Sequence, residues 1–190
     1  MINIVIFASG NGTNAENIAR HFADSGTVKV AAMFTGNPRA KAIDRMNRYG
    51  VPCRIFTREQ WNDPIEIVDE LKRLDTHLIV LAGFLSVVQP AIIDAVGGNI
   101  INIHPSLLPR HGGKGMWGMH VHRAVLESGD QDSGITIHYV TEEIDGGAIL
   151  CQRRCPVLPG DTPETLAERV HALEYEALPT TIEQLAARLQ

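Results

Sequence analysis

The fold class is decided by one stretch of the sequence, Ile2-Asn-Ile-Val-Ile-Phe-Ala8 followed at once by Ser9-Gly-Asn-Gly-Thr-Asn14. The first part is an apolar, β-branched run, typical of a strand buried on both faces of a parallel sheet. The second part, continued by Ala15, fits the pattern G-x-G-x-x-A of a turn between a strand and a helix. Glycines there let backbone amides approach an anion, and the helix N-terminus adds partial positive charge. We expect a phosphate-binding turn, with a turn that needs glycine for steric reasons alone as the alternative.

The same alternation of strand and helix continues along the chain. Apolar runs predict further strands at 28–34, 53–56, 78–82 and 99–103, and helices at 14–23, 39–48, 64–74 and 90–96. The helix at 64–74 is expected to bury Ile65, Val68, Leu71 and Leu74. Alternation of this kind predicts a doubly wound α/β fold with right-handed crossovers and a mostly parallel sheet.

The second half of the sequence has a different pattern. A Gly- and Pro-rich loop at 105–118 leads to a helix at 120–127, and two strands at 134–140 and 148–155 predict an antiparallel edge of the sheet. A last helix is capped by Thr162-Pro163, and Pro179 is expected to kink or restart it. We expect a single domain over 1–190, with a Rossmann-like phosphate-binding half at 1–100 and a catalytic half at 101–190.

Composition limits the classes of function. The chain has 190 residues, and 17 Lys and Arg against 22 Asp and Glu give a formal net charge of −5, which argues against a nucleic-acid binder. Three cysteines without a dense framework favour reduced thiols and a cytoplasmic protein. No apolar run approaches the ~20 residues that a membrane span requires.

The stretch Ile100-Ile-Asn-Ile-His-Pro-Ser-Leu-Leu-Pro109 predicts a site. Asn102 and His104 are two apart on a strand, so both side chains point to the same face, at the carboxyl end where open α/β sheets bind their ligands. An imidazole can exchange a proton near neutral pH, and a carboxamide can donate to a developing oxyanion. Asp145, before Gly146-Gly147, is the carboxylate expected to hold His104 charged, whereas Glu142 and Glu143 are expected in solvent.

Other histidines leave alternatives open. His111, His120 and His122 raise the possibility of a metal site, although no carboxylate has matching spacing. His138 fits a core position and a site wall equally well. A dinucleotide would require an acidic residue at the end of the second strand, which is missing, but Arg39 could serve an NADP phosphate.

Four segments together resemble one enzyme family. They are Ser9-Gly-Asn-Gly-Thr-Asn14, Leu81-Ala-Gly-Phe84, Asn102-Ile-His-Pro-Ser-Leu-Leu-Pro109 and Asp145-Gly-Gly147. Their order and spacing are similar to those of the phosphoribosylglycinamide formyltransferases, folate-dependent enzymes of purine biosynthesis, over about residues 2–185. The third and fourth segments are typical of the wider folate formyltransferase group, and the first is typical of this branch.

The resemblance implies a formyltransferase-like fold and roles for particular residues. It implies transfer of a formyl group from 10-formyltetrahydrofolate to the amine of N1-(5-phospho-D-ribosyl)glycinamide, with no metal, in a monomer or homodimer that binds only small molecules. The implied catalytic trio is Asn102, His104 and Asp145. The residues implied at the ribonucleotide are Gly12, Thr13, Asn14 and Glu174. Those implied on the folate side are Leu85, Ser86, Val87, Val88, Ile100, Val140, Thr141, Ile144 and Arg58.

Two features depart from the family pattern. The loop 110–119 is several residues longer, with Gly112-Gly-Lys-Gly-Met-Trp-Gly118 inserted, and either covers the site as a lid or reshapes its rim. Ser86 stands where an arginine is frequent.

Related and unrelated functions remain as rivals. A methionyl-tRNA formyltransferase would add a C-terminal tRNA-binding domain, for which this length leaves no room. A formyltetrahydrofolate hydrolase typically adds an N-terminal regulatory domain, whereas strand one is expected from residue 2. An NADP-dependent oxidoreductase and a nucleotide-sensing module are the unrelated alternatives, and a sensor would have no use for a converging amide, imidazole and carboxylate.

Overall fold

The computed structural model describes residues 1–189, and within that range one seven-stranded sheet is flanked by seven helices. The strands are β1 Ile2–Phe7, β2 Val28–Thr35, β3 Cys53–Ile55, β4 Thr76–Leu81, β5 Ile100–His104, β6 Asp132–Tyr139 and β7 Ile149–Pro156. The helices are α1 Thr13–His21, α2 Lys41–Asn47, α3 Arg58–Asn62, α4 Ile65–Arg73, α5 Pro90–Ala95, α6 Met119–Glu127 and α7 Pro163–Leu189.

The order of the strands confirms the predicted fold class. It is β3-β2-β1-β4-β5-β6-β7, with β1 to β5 parallel and β6 and β7 antiparallel. The chain winds outward from β1 through β2 to β3, then returns to the other side of β1 for β4 and β5. The order therefore reverses between β1 and β4, and such a switch point opens a crevice at the carboxyl ends of the strands.

Helices cover both faces of the sheet, as the apolar strands require. One face packs on α1, α2 and α7, with Ile4, Ile6, Ile18 and Met46 in its core. The other face packs on α3, α4 and α5, where Phe7, Phe34 and Trp61 belong to an aromatic cluster. Both faces of β1 are thus removed from water, which accounts for its nearly continuous apolar sequence.

Two features of the α3–α4 region differ from the analysis of the sequence. The short helix α3 had not been predicted; it begins at a capping box in which Thr57 and Gln60 each bond the other's backbone amide. Ile65 does not belong to the buried face of α4, because it lies in the first turn and is 65% exposed. The buried residues are Ile67 and Leu71, one turn apart.

The last helix does not restart at Pro179 but runs through it. A proline has no amide to donate to the carbonyl four residues earlier, here that of Tyr175. The side-chain amide of Asn17 on α1 donates to this carbonyl instead, at 2.9 Å. The replacement donor satisfies the helix interior and ties α7 to α1.

Candidate active site

A cavity of about 780 Å³ opens at the switch point of the sheet. Its walls are the glycine turn after β1, the segment after β4, the end of β5, the loop before α6, the loop between β6 and β7, and one face of α7. A cavity of this size falls within the usual range for small-molecule sites.

The glycine turn forms a cradle of backbone amides at one end of the cavity. Gly12 has φ +74° and precedes the first turn of α1, and a Cβ at this position would collide with the backbone of Ala42. Arg45 holds the turn from outside by donating to the Asn11 carbonyl at 2.9 Å. Gly12, Thr13 and Asn14 all line the cavity. The turn can accept an anion there because the α1 amides face it.

Glu174 on α7 joins the cradle from the opposite side. Its Oε2 accepts hydrogen bonds from Asn14 Nδ2 at 2.9 Å and from His171 Nδ1 at 2.8 Å. That bond to Glu174 raises the pKa of His171. The buried Glu174 can also offer its remaining oxygen to hydroxyl groups of a ligand.

Strand β5 carries Asn102 and His104 to the centre of the cavity. Asn102 lies opposite His138 in the β5–β6 register, and its Nδ2 donates to His138 Nε2 at 3.2 Å. His138 Nδ1 donates to the Tyr139 carbonyl at 2.8 Å, so its Nε2 is the accepting nitrogen. The histidine thereby fixes the orientation of the Asn102 amide and leaves one of its two N–H groups for a ligand.

Asp145 reaches the same point from the loop between β6 and β7. Its Oδ2 lies 3.6 Å from His104 Nδ1, and its Oδ1 lies 3.6 Å from His138 Nε2. The backbone amide of Gly113 donates to Oδ2 at 2.8 Å. The tight loop requires Gly147, since a Cβ there would overlap the Tyr139 carbonyl. Glu142 and Glu143 of this loop are exposed, as predicted.

Burial and charge shift the pKa values of this pair. Burial lowers the pKa of His104 below its usual value, although Asp145 and the bond to the His111 carbonyl act in the opposite direction. Burial raises the pKa of Asp145, but its neighbours, the Gly113 amide and His104 among them, hold it below its usual value. Burial thus acts against the charged imidazole expected from the sequence, and it outweighs the attraction of Asp145. The two shifts favour a neutral imidazole beside a carboxylate.

Two further segments give the cavity an apolar wall. Leu85 and Val87 are 57% and 62% exposed, and together with Ser86, Val88, Val140, Thr141 and Ile144 they line it. Large exposed apolar side chains at a cavity mouth are typical of a ligand surface. The loop 113–119 lines the opposite side, with Lys114 as the one Lys or Arg that residues 1–189 contribute to the lining.

Two residues expected on the folate side are placed elsewhere. Ile100 is fully buried within the sheet and does not line the cavity, because its side chain belongs to the core beneath α5. Arg58 lines a neighbouring groove of about 470 Å³ that shares Leu85, Ser86 and Val87 with the cavity.

The three histidines considered for a metal site do not form one cluster. His111 pairs with Asp130, His122 is buried at the cavity wall, and His120 packs against Trp117. Across residues 1–189 the structure contains no group of three or more His, Cys, Asp or Glu side chains that could hold a metal ion. Likewise, none of the helices up to Leu189 is long and apolar enough to cross a membrane.

Sequence reasoning missed three contributors to the site. His138 had been left undecided, and only the antiparallel register with Asn102 assigns it to the wall. His122 has a pKa lowered to about 4 by burial and by nearby His171, and its Nδ1 has no partner. The carbonyl of His111 accepts from His104 Nε2 at 2.8 Å, and no sequence signal marks a backbone group of this kind.

The fold and the site together define an α/β protein with an anion cradle beside an amide, an imidazole and a carboxylate. A model of the formyl transferase family matches residues 2–182. The phosphoribosylglycinamide formyltransferase of Haemophilus influenzae is 35% identical over 188 residues, covering 96% of this chain and 86% of that protein. The chloroplastic one of Arabidopsis thaliana is 38% identical over 180 residues, which are 91% of this chain and 61% of that longer protein.

Solved structures agree with these relatives. The glycinamide ribonucleotide transformylase 1 of Geobacillus kaustophilus superposes with a TM-score of 0.88 at 36% identity, covering 98% of this chain and 99% of that one. The chain therefore belongs to the formyl transferase family, and within it to the phosphoribosylglycinamide formyltransferases.

Proposed function

We propose that this protein transfers the formyl group of 10-formyltetrahydrofolate to the amine of N1-(5-phospho-D-ribosyl)glycinamide, in the synthesis of purines. The observation that carries the proposal is the convergence of Asn102, His104 and Asp145 beside the anion cradle, with Asp145 Oδ2 3.6 Å from His104 Nδ1. One end of the cavity suits a phosphate and the other suits a flat, largely apolar ligand.

The two substrates occupy opposite ends of the cavity. The phosphate binds the amides of Gly12, Thr13 and Asn14, and the ribose hydroxyls bind Glu174. The folate lies on the apolar wall of Leu85, Val87, Val88, Val140 and Ile144, with Thr141 at its edge. Arg58, in the adjoining groove, is a partner for the carboxylates of the folate tail. Ser86 supplies only its backbone and a small hydroxyl.

Amine attack on the formyl carbon forms a new C–N bond and moves the carbonyl π electrons to oxygen. The free N–H of Asn102 donates to this oxyanion, because the other N–H is held by His138 at 3.2 Å. Removing one such donor from a comparable site costs about 3–4 kcal/mol of transition-state stabilisation.

The proton released by the attacking amine moves to His104. The neutral imidazole accepts it at Nδ1, through a water held by Asp145, and the resulting cation is stabilised by the carboxylate at 3.6 Å. His104 then returns the proton to the folate nitrogen N10 as the bond from the formyl carbon to N10 breaks and the carbonyl re-forms. Atoms and charge balance, and tetrahydrofolate and the formylated ribonucleotide leave.

Spectroscopic detection of folate deformylation, with and without the ribonucleotide, tests the proposal. We expect deformylation to depend on the ribonucleotide, and His104→Ala to lower kcat by about 100-fold or more with folding intact. His21→Ala, at an exposed histidine remote from the cavity, is the matched control. Deformylation that proceeds equally without ribonucleotide would identify a hydrolase, and near-normal turnover of His104→Ala would overturn the catalytic trio.

The proposal includes the cellular location, the domain organisation and the oligomeric state of the protein. The three free cysteines support action in the cytoplasm. One continuous sheet joins strands of residues 1–100 to strands of the second half of the chain, which supports a single domain. The proposal is a protein that acts as a monomer or homodimer.

A further inference from the structure

The side chain of His104 is held by a backbone carbonyl from the loop before α6. His104 Nε2 lies 2.8 Å from the His111 carbonyl oxygen. A carbonyl can only accept, so Nε2 must carry a proton. In the neutral ring, Nδ1 is then the nitrogen with the free lone pair, and this nitrogen faces Asp145 at 3.6 Å. The carbonyl therefore determines which nitrogen can take up a proton.

The His111 carbonyl does not reach this position by itself. His111 has φ +53°, a left-handed conformation that is uncommon for a residue with a side chain. Its ring Nε2 lies 2.8 Å from Asp130 Oδ2, which is also 3.2 Å from Arg110 Nη1. The neighbouring Arg110 carbonyl accepts from Ser106 Oγ at 2.6 Å. The turn is thus fixed by side chains on both sides of the carbonyl.

We propose that His111 is a positioning residue. The contact between its ring and Asp130 holds the His111 carbonyl within hydrogen-bonding distance of His104 Nε2. This keeps Nδ1 of His104 available to accept the substrate proton. The inference rests on the proposed catalytic role of His104. It assigns a role in the reaction to a backbone carbonyl, which is held in place by the contact between the His111 ring and Asp130 on the other side of the loop.

The carbonyl is needed because Asp145 would favour the opposite tautomer. A carboxylate facing Nδ1 attracts a proton to that nitrogen, and a neutral ring protonated there could not accept another at the same atom. The other titratable groups near the ring are His138 from β6, His122 from α6 and Glu174 from α7. The His138 and His122 rings oppose a charge on His104, while Glu174 and the His111 carbonyl favour it.

The variant His111→Asn removes the contact between the ring and Asp130 but is compatible with the left-handed backbone conformation at this position. Asparagine tolerates the left-handed conformation, but its side chain is too short to replace the ring at Asp130. We expect kcat to fall about 10-fold, a part of what acid–base catalysis by a side chain contributes, with KM for both substrates within about twofold. The acid limb of the kcat–pH profile should shift to lower pH, because the carbonyl raises the pKa of His104.

Two other variants bracket the effect. Asp130→Asn keeps an acceptor for the His111 ring but removes the charge, so we expect a loss smaller than that of His111→Asn. Arg154→Met is the matched control, because Arg154 pairs with Asp132 at the outer end of the same chain of charges and does not contact His111. Its kcat and pH profile should equal those of the unchanged protein.

The tautomer itself is measured by ¹⁵N NMR of the His104 ring in the intact protein. We expect the proton on Nε2 in the unchanged protein and a population shifted to Nδ1 in His111→Asn. A ring unaffected by His111→Asn, or a kcat–pH profile that does not move, would overturn the positioning role even if His104→Ala is inactive. Conversely, an active His104→Ala would overturn the proposed function while leaving the NMR result in place.

Discussion

The two ends of the cavity are constructed in different ways. The anion cradle comes from one continuous stretch, residues 10–14, whose amides are aligned by the start of α1. The proposed proton-transfer end instead combines β5, β6 and two loops. The contacts that join them span 32 residues between Gly113 and Asp145 and 36 between Asn102 and His138. Binding therefore depends on local backbone shape, whereas chemistry depends on the register of distant segments.

The largest effect is expected from the distant segments. Asp145→Asn should lower kcat by about 100-fold or more, because it removes the charge that stabilises a protonated His104. Steady-state kinetics should show KM for the ribonucleotide nearly unchanged, since the cradle is untouched. The acid limb of the pH profile should move to lower pH, because Asp145 raises the pKa of His104.

Glu142→Gln is the matched control for Asp145→Asn, as an exposed carboxylate of the same loop. It should leave kcat within about twofold, as expected for a solvated charge. An equal loss from both variants would mean that the loop acts through its total charge, and the distinction between the two ends would no longer hold.

The sequence alone predicted the anion cradle better than the proposed proton-transfer end. The glycine pattern and the apolar first strand determine the turn, and the spacing of Asn102 and His104 places both at one strand end. The assignment of His138 required the β5–β6 register, and that of the His111 carbonyl required a loop conformation. Pro179 was expected to kink or restart α7. The helix instead continues through it, because Asn17, 158 residues away from Tyr175, supplies the donor that replaces the missing amide.

A second prediction concerns pH and the buried imidazole of His122. Its pKa in the folded chain is about 4, against 6.5 for an ordinary histidine, because burial disfavours the charged form. Below pH 6.5 the unfolded chain binds a proton that the folded chain does not, so stability falls as the pH is lowered towards 4. The free energy of unfolding should decrease by up to about 3 kcal/mol across this window.

Chemical denaturation at several pH values measures this dependence. His122→Leu should flatten the slope, leaving the smaller contribution of His104, whose pKa is lowered in the same direction. If His122→Leu retains the full pH dependence of the free energy of unfolding, His122 is not the group that causes this dependence.

A third prediction applies to the cradle. Gly12→Ala should destabilise the fold by about 2 kcal/mol, because the new Cβ meets Ala42 and φ is +74°. It should also raise KM for the ribonucleotide, because α2 must move away from the turn. Thermal unfolding of Gly10→Ala provides the control, since a Cβ at Gly10 has no atom within 4 Å. Equal melting temperatures for the two variants would show that the turn is not sterically constrained.

The smallest effect is expected from Lys114. A variant at this residue tests whether the anion cradle needs a positively charged side chain to bind the phosphate. Residues 10–14 carry no cationic side chain, and within residues 1–189 Lys114 is the one Lys or Arg that lines the cavity. It belongs to the loop 110–119, so this loop can supply the charge that the cradle lacks. Lys114→Met should raise KM for the ribonucleotide about fivefold, near 1 kcal/mol, with kcat unchanged.

Salt and a second lysine separate this contribution from a general effect of charge. The fivefold difference should shrink as ionic strength rises, since screening weakens an exposed ion pair. Lys72→Met, on α4 at the far face of the sheet, should change neither KM. A rise confined to KM for the folate would assign Lys114 to the folate carboxylates, and then the cradle would hold the phosphate with neutral groups alone. Phosphate binding would then depend on residues 10–14 and not on the loop that carries Lys114. The difference between the anion cradle and the proposed proton-transfer end would be larger than the shared cavity lining indicates.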